Sequence, residues 1–137
     1  MKKTNVRWTH DRHFVGTDST NHSVVLSGQK QGIGVSPSEM LLIALSSCSA
    51  VDVVEIIEKK RKKLTMLEVE ALGEQDSEPP WPYRKIHLKY RLSGEGLTEK
   101  AVEQAIRLSQ EKYCSVAATV RGVAQITTEY QIIADDK

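Results

Sequence analysis

The stretch Met40-Leu41-Leu42-Ile43-Ala44-Leu45-Ser46-Ser47-Cys48-Ser49-Ala50-Val51 is apolar or small at every position and carries no charge. It follows Ser36-Pro37-Ser38-Glu39, which has the grammar of a helix start. Ser36 caps free amides, Pro37 suits the first turn, and Glu39 completes a capping box with Ser36. This pattern predicts a helix from Pro37 to about Lys62. A surface helix shows a polar face, and the first half of this one has none, so it has to be surrounded. In a chain of 137 residues the simplest cover is a sheet on one side and a second copy of the chain on the other. A homodimer is therefore the structural expectation.

The rest of the chain divides into short strands and two further helices. Val6-Arg7-Trp8, His13-Phe14-Val15 and Ser23-Val24-Val25-Leu26 are β-type pieces separated by turn-rich stretches, an N-terminal meander. Gln29 to Val35, with Gly32 and Gly34, reads as a loop. Met66 to Glu74 alternates apolar and polar residues as a half-exposed strand does, and Arg84 to Leu92 is its expected partner. Pro79-Pro80-Trp81-Pro82 between them is a stiff connection rather than a PxxP ligand. Thr98-Glu99-Lys100 opens a second helix running to about Tyr113, Ser115 to Val120 forms a short third one, and Gln125 to Ile133 is a closing strand. This order predicts a single α+β domain over residues 1–137, and the adjacent strands argue against a βαβ repeat.

The 19 Lys and Arg nearly balance 18 Asp and Glu, a net charge of +1, so no chain-wide field points to nucleic acid or to an anionic membrane. The basic run Lys59-Lys60-Arg61-Lys62-Lys63 complements the dipole at a helix C-terminus. The chain starts with polar and charged residues where a signal peptide needs a continuous apolar stretch, so the expected location is cytoplasmic. The longest apolar run, Met40 to Leu45, is far short of the ~20 residues of a membrane span, and no membrane partner is expected.

There is no P-loop, GxGxxG, HExxH, GxSxG or CxxC motif, which removes the usual support for nucleotide, zinc-peptidase and serine-hydrolase chemistry. Two cysteines remain, Cys48 and Cys114, 66 positions apart. A disulfide closing such a loop would stabilise by about 4 kcal/mol in the chain-entropy model, but a reducing cytosol does not maintain it. A zinc site from both cysteines and two of His10, His13, His22 and His87 has no ligand pair at close metal-type spacing, so no metal and no bound cofactor are expected. Cys48 lies among small residues that leave room beside its sulfur. Cys114 falls just past the second helix, where a following helix N-terminus would favour its thiolate. On these grounds alone both can equally be packed core thiols.

Ser36-Pro37-Ser38-Glu39-Met40-Leu41-Leu42-Ile43-Ala44-Leu45-Ser46-Ser47-Cys48, Asp52-Val53-Val54 and Glu111-Lys112-Tyr113-Cys114-Ser115-Val116 closely resemble the OsmC/Ohr family of osmotically induced and organic-hydroperoxide-resistance proteins. Phe14-Val15-Gly16-Thr17-Asp18 and the order of elements resemble its OsmC-like branch. The resemblance covers nearly the whole chain. It implies an intertwined α+β homodimer, with antiparallel sheets wrapped around two long central helices, and thiol-dependent reduction of organic hydroperoxides. By that resemblance Cys48 is the peroxidatic thiolate and Cys114 the residue that condenses with its sulfenic acid to an internal disulfide. An external dithiol, lipoyl-type in some members, regenerates the pair. Arg12 is the counterpart of the family's catalytic arginine, whose guanidinium supports a thiolate and hydrogen-bonds the departing oxygen.

One position departs from the pattern. In the hydroperoxide-resistance branch a glutamate directly follows the proline of the helix start, whereas here Pro37 is followed by Ser38 and the carboxylate arrives as Glu39. One residue turns a helical side chain by ~100°. Glu39 is thus a candidate both for orienting the arginine and for capping alone, and peroxidase activity is a weaker expectation in this branch. The same cleft also suits a non-catalytic dimer that binds an apolar ligand or senses redox state, and the basic run suits a polyanion-binding protein.

Overall fold

A computed structural model describes residues 1–28 and 32–134. The Gln29–Gln31 part of the expected loop lies outside the described residues. The chain divides into two compact units, Met1–Leu41 and Leu42–Lys137.

In the first unit, β1 (Asn5–His10), β2 (His13–Thr17) and β3 (Ser23–Ser27) form the expected antiparallel meander, in the order β1-β2-β3. Phe14 stands opposite both Trp8 and Leu26. The β2–β3 turn is organised by Asp18, whose carboxylate accepts from the Thr20 and His22 amides and from the Thr20 hydroxyl. The chain then returns beside β3, where the amides of Ser27 and Val35 bond the carbonyls of Val35 and Val25. A Cβ at Gly34 would lie 2.7 Å from the Leu26 backbone, so this approach admits only glycine.

Helix α1 (Pro37–Lys59) begins where the cap signals place it. The Ser36 hydroxyl donates to the Glu39 carboxylate at 2.9 Å, and the Met40 amide bonds the Ser36 carbonyl. It ends three residues before the expected Lys62. Arg61 adopts a left-handed backbone (φ 59°), its amide bonding Glu58 and that of Lys62 bonding Ile57, a Schellman closure built on arginine instead of glycine. Leu45, Ser49, Val53 and Ile57, spaced four apart, form its buried stripe. Leu41, Ile43 and Val51 remain 40%, 46% and 56% exposed. The uninterrupted-run criterion overlooked a property of this helix: by length and composition α1 is long and apolar enough to cross a membrane, and only a minor part of its most apolar stretch is buried within the chain.

The second unit is built on β4 (Lys63–Gln75) and β5 (Tyr83–Glu95), an antiparallel hairpin longer at both ends than the alternation marked. After β5 come α2 (Glu99–Leu108), a π-helical turn (Ser109–Tyr113), α3 (Ser115–Val120) and β6 (Gln125–Ile132). Thr98 caps α2, its hydroxyl oxygen accepting from the Ala101 amide at 3.1 Å. β6 pairs parallel to β5, in the order β4-β5-β6, so this edge departs from an all-antiparallel sheet. The helices between β5 and β6 carry the chain back to the start of β5, the crossover that parallel pairing requires. Ile86, Leu88, Tyr90 and Leu92 on β5 are fully buried, in one core with Leu45, Val53 and Ile57 of α1 and with Ala101, Val102, Ala105 and Ile106 of α2.

Candidate functional site

The two cysteines, distant in sequence, meet where the π-helical turn passes α1. Ser49, the residue after Cys48, contacts the Ser109 hydroxyl at 2.8 Å. Ser109 opens the turn, and its carbonyl accepts from the Cys114 amide at 2.8 Å, which closes it. Cys114 leaves helical geometry (φ −76°, ψ 103°) and becomes the N-cap of α3, its sulfur accepting from the Ala117 amide at 3.4 Å. The Cys48 sulfur lies 3.9 Å from the Ser115 hydroxyl. Both thiols are free, Cys48 partly exposed and Cys114 buried. π turns are rare and occur frequently at functional sites.

The two sulfurs are electrostatically unequal. Burial pushes the Cys48 thiol up, but the Val116 amide, the Cys114 thiol, and the hydroxyl and amide of Ser115 outweigh it and hold Cys48 below the usual thiol range. Cys114 is pushed up to about 11, first by burial and then by its hydrogen bond to Cys48 and the charges of Cys48 and Asp52, with the Ala117 amide opposing. The expectation of a thiolate at Cys114 is therefore reversed. The start of α3 does stabilise a thiolate, but that sulfur belongs to Cys48, which faces the amides from α1.

As pH rises, Cys48 loses its proton first and Cys114 keeps its own. Iodoacetamide at pH 8 should accordingly label Cys48 ahead of Cys114 by roughly tenfold or more, as measured by peptide mass mapping over time. Equal labelling of the two would contradict this order.

Behind the sulfurs runs a set of polar side chains that sequence reasoning missed. Ser109 donates to Asp52 Oδ2 at 2.9 Å, Ser49 lies 2.6 Å from the Tyr90 hydroxyl, and Gln110 Nε2 reaches Tyr90 at 3.2 Å. Ser49, Ser109 and Tyr90 are fully buried, and burial raises the Tyr90 phenol above its ordinary range. The available signal was Asp52, one helical turn beyond Cys48 in an otherwise uncharged stretch.

The other site candidates lie in the first unit. Arg12 is exposed at the β1–β2 turn, where its guanidinium donates to the Asp11 carbonyl at 3.3 Å. Glu39 is exposed and bonded to Ser36, the capping-box contact. The turn also holds a close ligand set that the spacing argument passed over. His10 and His13 pair across the hairpin with rings stacked at 4.7 Å, and with Asp11 they offer ligand atoms all within 4.8 Å of one another. His10 and Asp11 are exposed, as surface groups without a metal also are.

A long helix carrying one cysteine, a second cysteine on a redirected helix, and a sheet beneath both define a mixed α+β thiol protein. The chain belongs to the OsmC-like protein family, whose model matches residues 28–129. It is 36% identical over 129 residues to protein YhfA of Escherichia coli K12, covering 94% of this chain and 96% of that one. Among solved structures it is similar to a hypothetical protein from Aquifex aeolicus, with TM-score 0.88, 30% identity, and 99% and 98% of the two chains covered. The organic hydroperoxide resistance protein OhrB of Bacillus subtilis shares the fold at TM-score 0.63 and 12% identity, with 96% and 98% covered.

Proposed function

We propose that this protein is a cysteine-based peroxidase for organic hydroperoxides, with Cys48 as nucleophile and Cys114 as resolving thiol. The observation that carries this reading is the asymmetry of the pair: Cys48, which faces the amides of Ser115 and Val116 and ionises first, lies beside the buried Cys114, which holds its proton longer. The Cys48 thiolate attacks the terminal peroxide oxygen, and the O–O bond breaks. That oxygen passes to sulfur as sulfenic acid, and the alkoxide leaves as alcohol after taking a proton. The Cys114 sulfur then attacks the oxidised Cys48 sulfur, its proton leaving with the sulfenic oxygen as water, and a disulfide forms. An external dithiol, lipoyl-type or similar, reduces the disulfide by two thiol exchanges. In this reading no bound cofactor is needed, Arg12 supplies a cation to the peroxide oxygens, and Glu39 orients it.

The proposal includes a homodimer, because Leu41, Ile43 and Val51 leave an apolar helix face uncovered by this chain. Light scattering on the purified, detergent-free protein should give twice the chain mass. Extraction only with detergent would favour a membrane-bound α1. For the chemistry, one equivalent of cumene hydroperoxide added to the reduced protein should yield one alcohol and a loss of two mass units. Unmodified thiols after that treatment would favour the non-catalytic, ligand-binding reading.

A further inference from the structure

Asp52 accepts the Ser109 hydroxyl proton, which dictates the direction of every bond behind it. A carboxylate has no proton to give. With its own proton committed to Asp52, Ser109 receives from Ser49, Ser49 receives from Tyr90, and Tyr90 receives from the Gln110 amide. The four bonds make one directed chain ending on Asp52, and each buried hydroxyl in it has a donor and an acceptor. The start of the π turn is tied to this chain, since Ser109 and Gln110 are the turn's first two residues, and the Ser109 carbonyl in turn accepts the Cys114 amide.

We propose that Asp52 is the positioning residue of the thiol pair: through Ser109 it pins the π turn that presents Cys114 to Cys48. This deepens the peroxidase reading and rests on it for its biological meaning, but its physical content concerns the thiols alone. The titratable groups around Cys114 are Cys48 and Asp52 on α1, which raise its pKa, and Tyr90 on β5, to which it is electrostatically coupled. Arg121 of α3 is engaged with the Gln110 carbonyl.

Two variants separate the tether from the charge. Asp52→Asn keeps an acceptor for Ser109 and removes the charge, while Ser109→Ala keeps the charge and removes the tether. In a Cys48→Ser background, the Cys114 titration followed by its 13Cβ chemical shift should fall in Asp52→Asn and stay in place in Ser109→Ala. In the two-cysteine protein, disulfide closure by diamide should slow severalfold in Ser109→Ala. Diamide takes up the two thiol hydrogens as it becomes a hydrazine, so this readout needs no hydroperoxide and survives failure of the peroxidase reading. Unchanged closure in Ser109→Ala overturns the proposal. A drop in thermal stability accompanied by neither change assigns the network a purely structural role.

Discussion

Cys48→Ser is expected to abolish hydroperoxide reduction, by roughly a thousandfold or more, since the serine hydroxyl stays protonated where the thiolate was the nucleophile. The neighbouring amides that favour a thiolate do not bring a serine within reach of ionisation. Cys114→Ser should behave differently. Its Cys48 remains activated by Val116 and Ser115, so a first equivalent of peroxide is consumed and the reaction halts at sulfenic acid. Turnover with a dithiol should then be slow, and dimedone should trap the modified Cys48. Coupled consumption of cumene and tert-butyl hydroperoxide, read alongside intact mass, distinguishes the two variants. If the wild type is as slow as Cys48→Ser, the thiol pair serves another purpose than peroxide reduction.

The largest effect on stability is expected at Leu88. It is fully buried at the middle of β5, the central strand, with β4 on one side and β6 on the other. Leu88→Ala removes the transfer energy of its side chain and leaves a cavity between sheet and helices that neither neighbouring strand can close, about 2–5 kcal/mol. Leu72→Ala on β4 is the matched control, since Leu72 is 49% exposed and its truncation should alter stability by under about 0.5 kcal/mol. Urea unfolding with unchanged m-values would test both. A loss below 1 kcal/mol for Leu88→Ala would mean that β5 is not the centre of the core.

Local grammar explains which parts of the fold could be read in advance. The start of α1, the meander and the bounds of α3 each follow from side chains acting on their own neighbours, as Ser36 and Glu39 do. The end of α1 escaped because the closing left-handed residue is Arg61, a type that does not announce that conformation as glycine does. The parallel setting of β6 escaped because strand direction is decided by the crossover and not by alternation. At the site, the motifs around both cysteines were visible, yet their ionisation order was not. That order depends on which sulfur faces the amides of Ser115 and Val116, a contact between residues nearly half the chain apart. Asp52 was quoted within a motif, but nothing local connects it to Ser109, 57 positions away.

The amides that activate Cys48 belong to the two residues that directly follow Cys114. In the peroxidase reading activation and resolution therefore draw on one segment: a shift of α3 away from α1 would carry off the resolving sulfur and the activating dipoles together. The nucleophile would return to an ordinary, sluggish thiol whenever its partner was out of reach. In the peroxidase reading, this coupling would leave no arrangement in which Cys48 is activated while Cys114 is out of reach, the arrangement most open to over-oxidation to sulfinic acid.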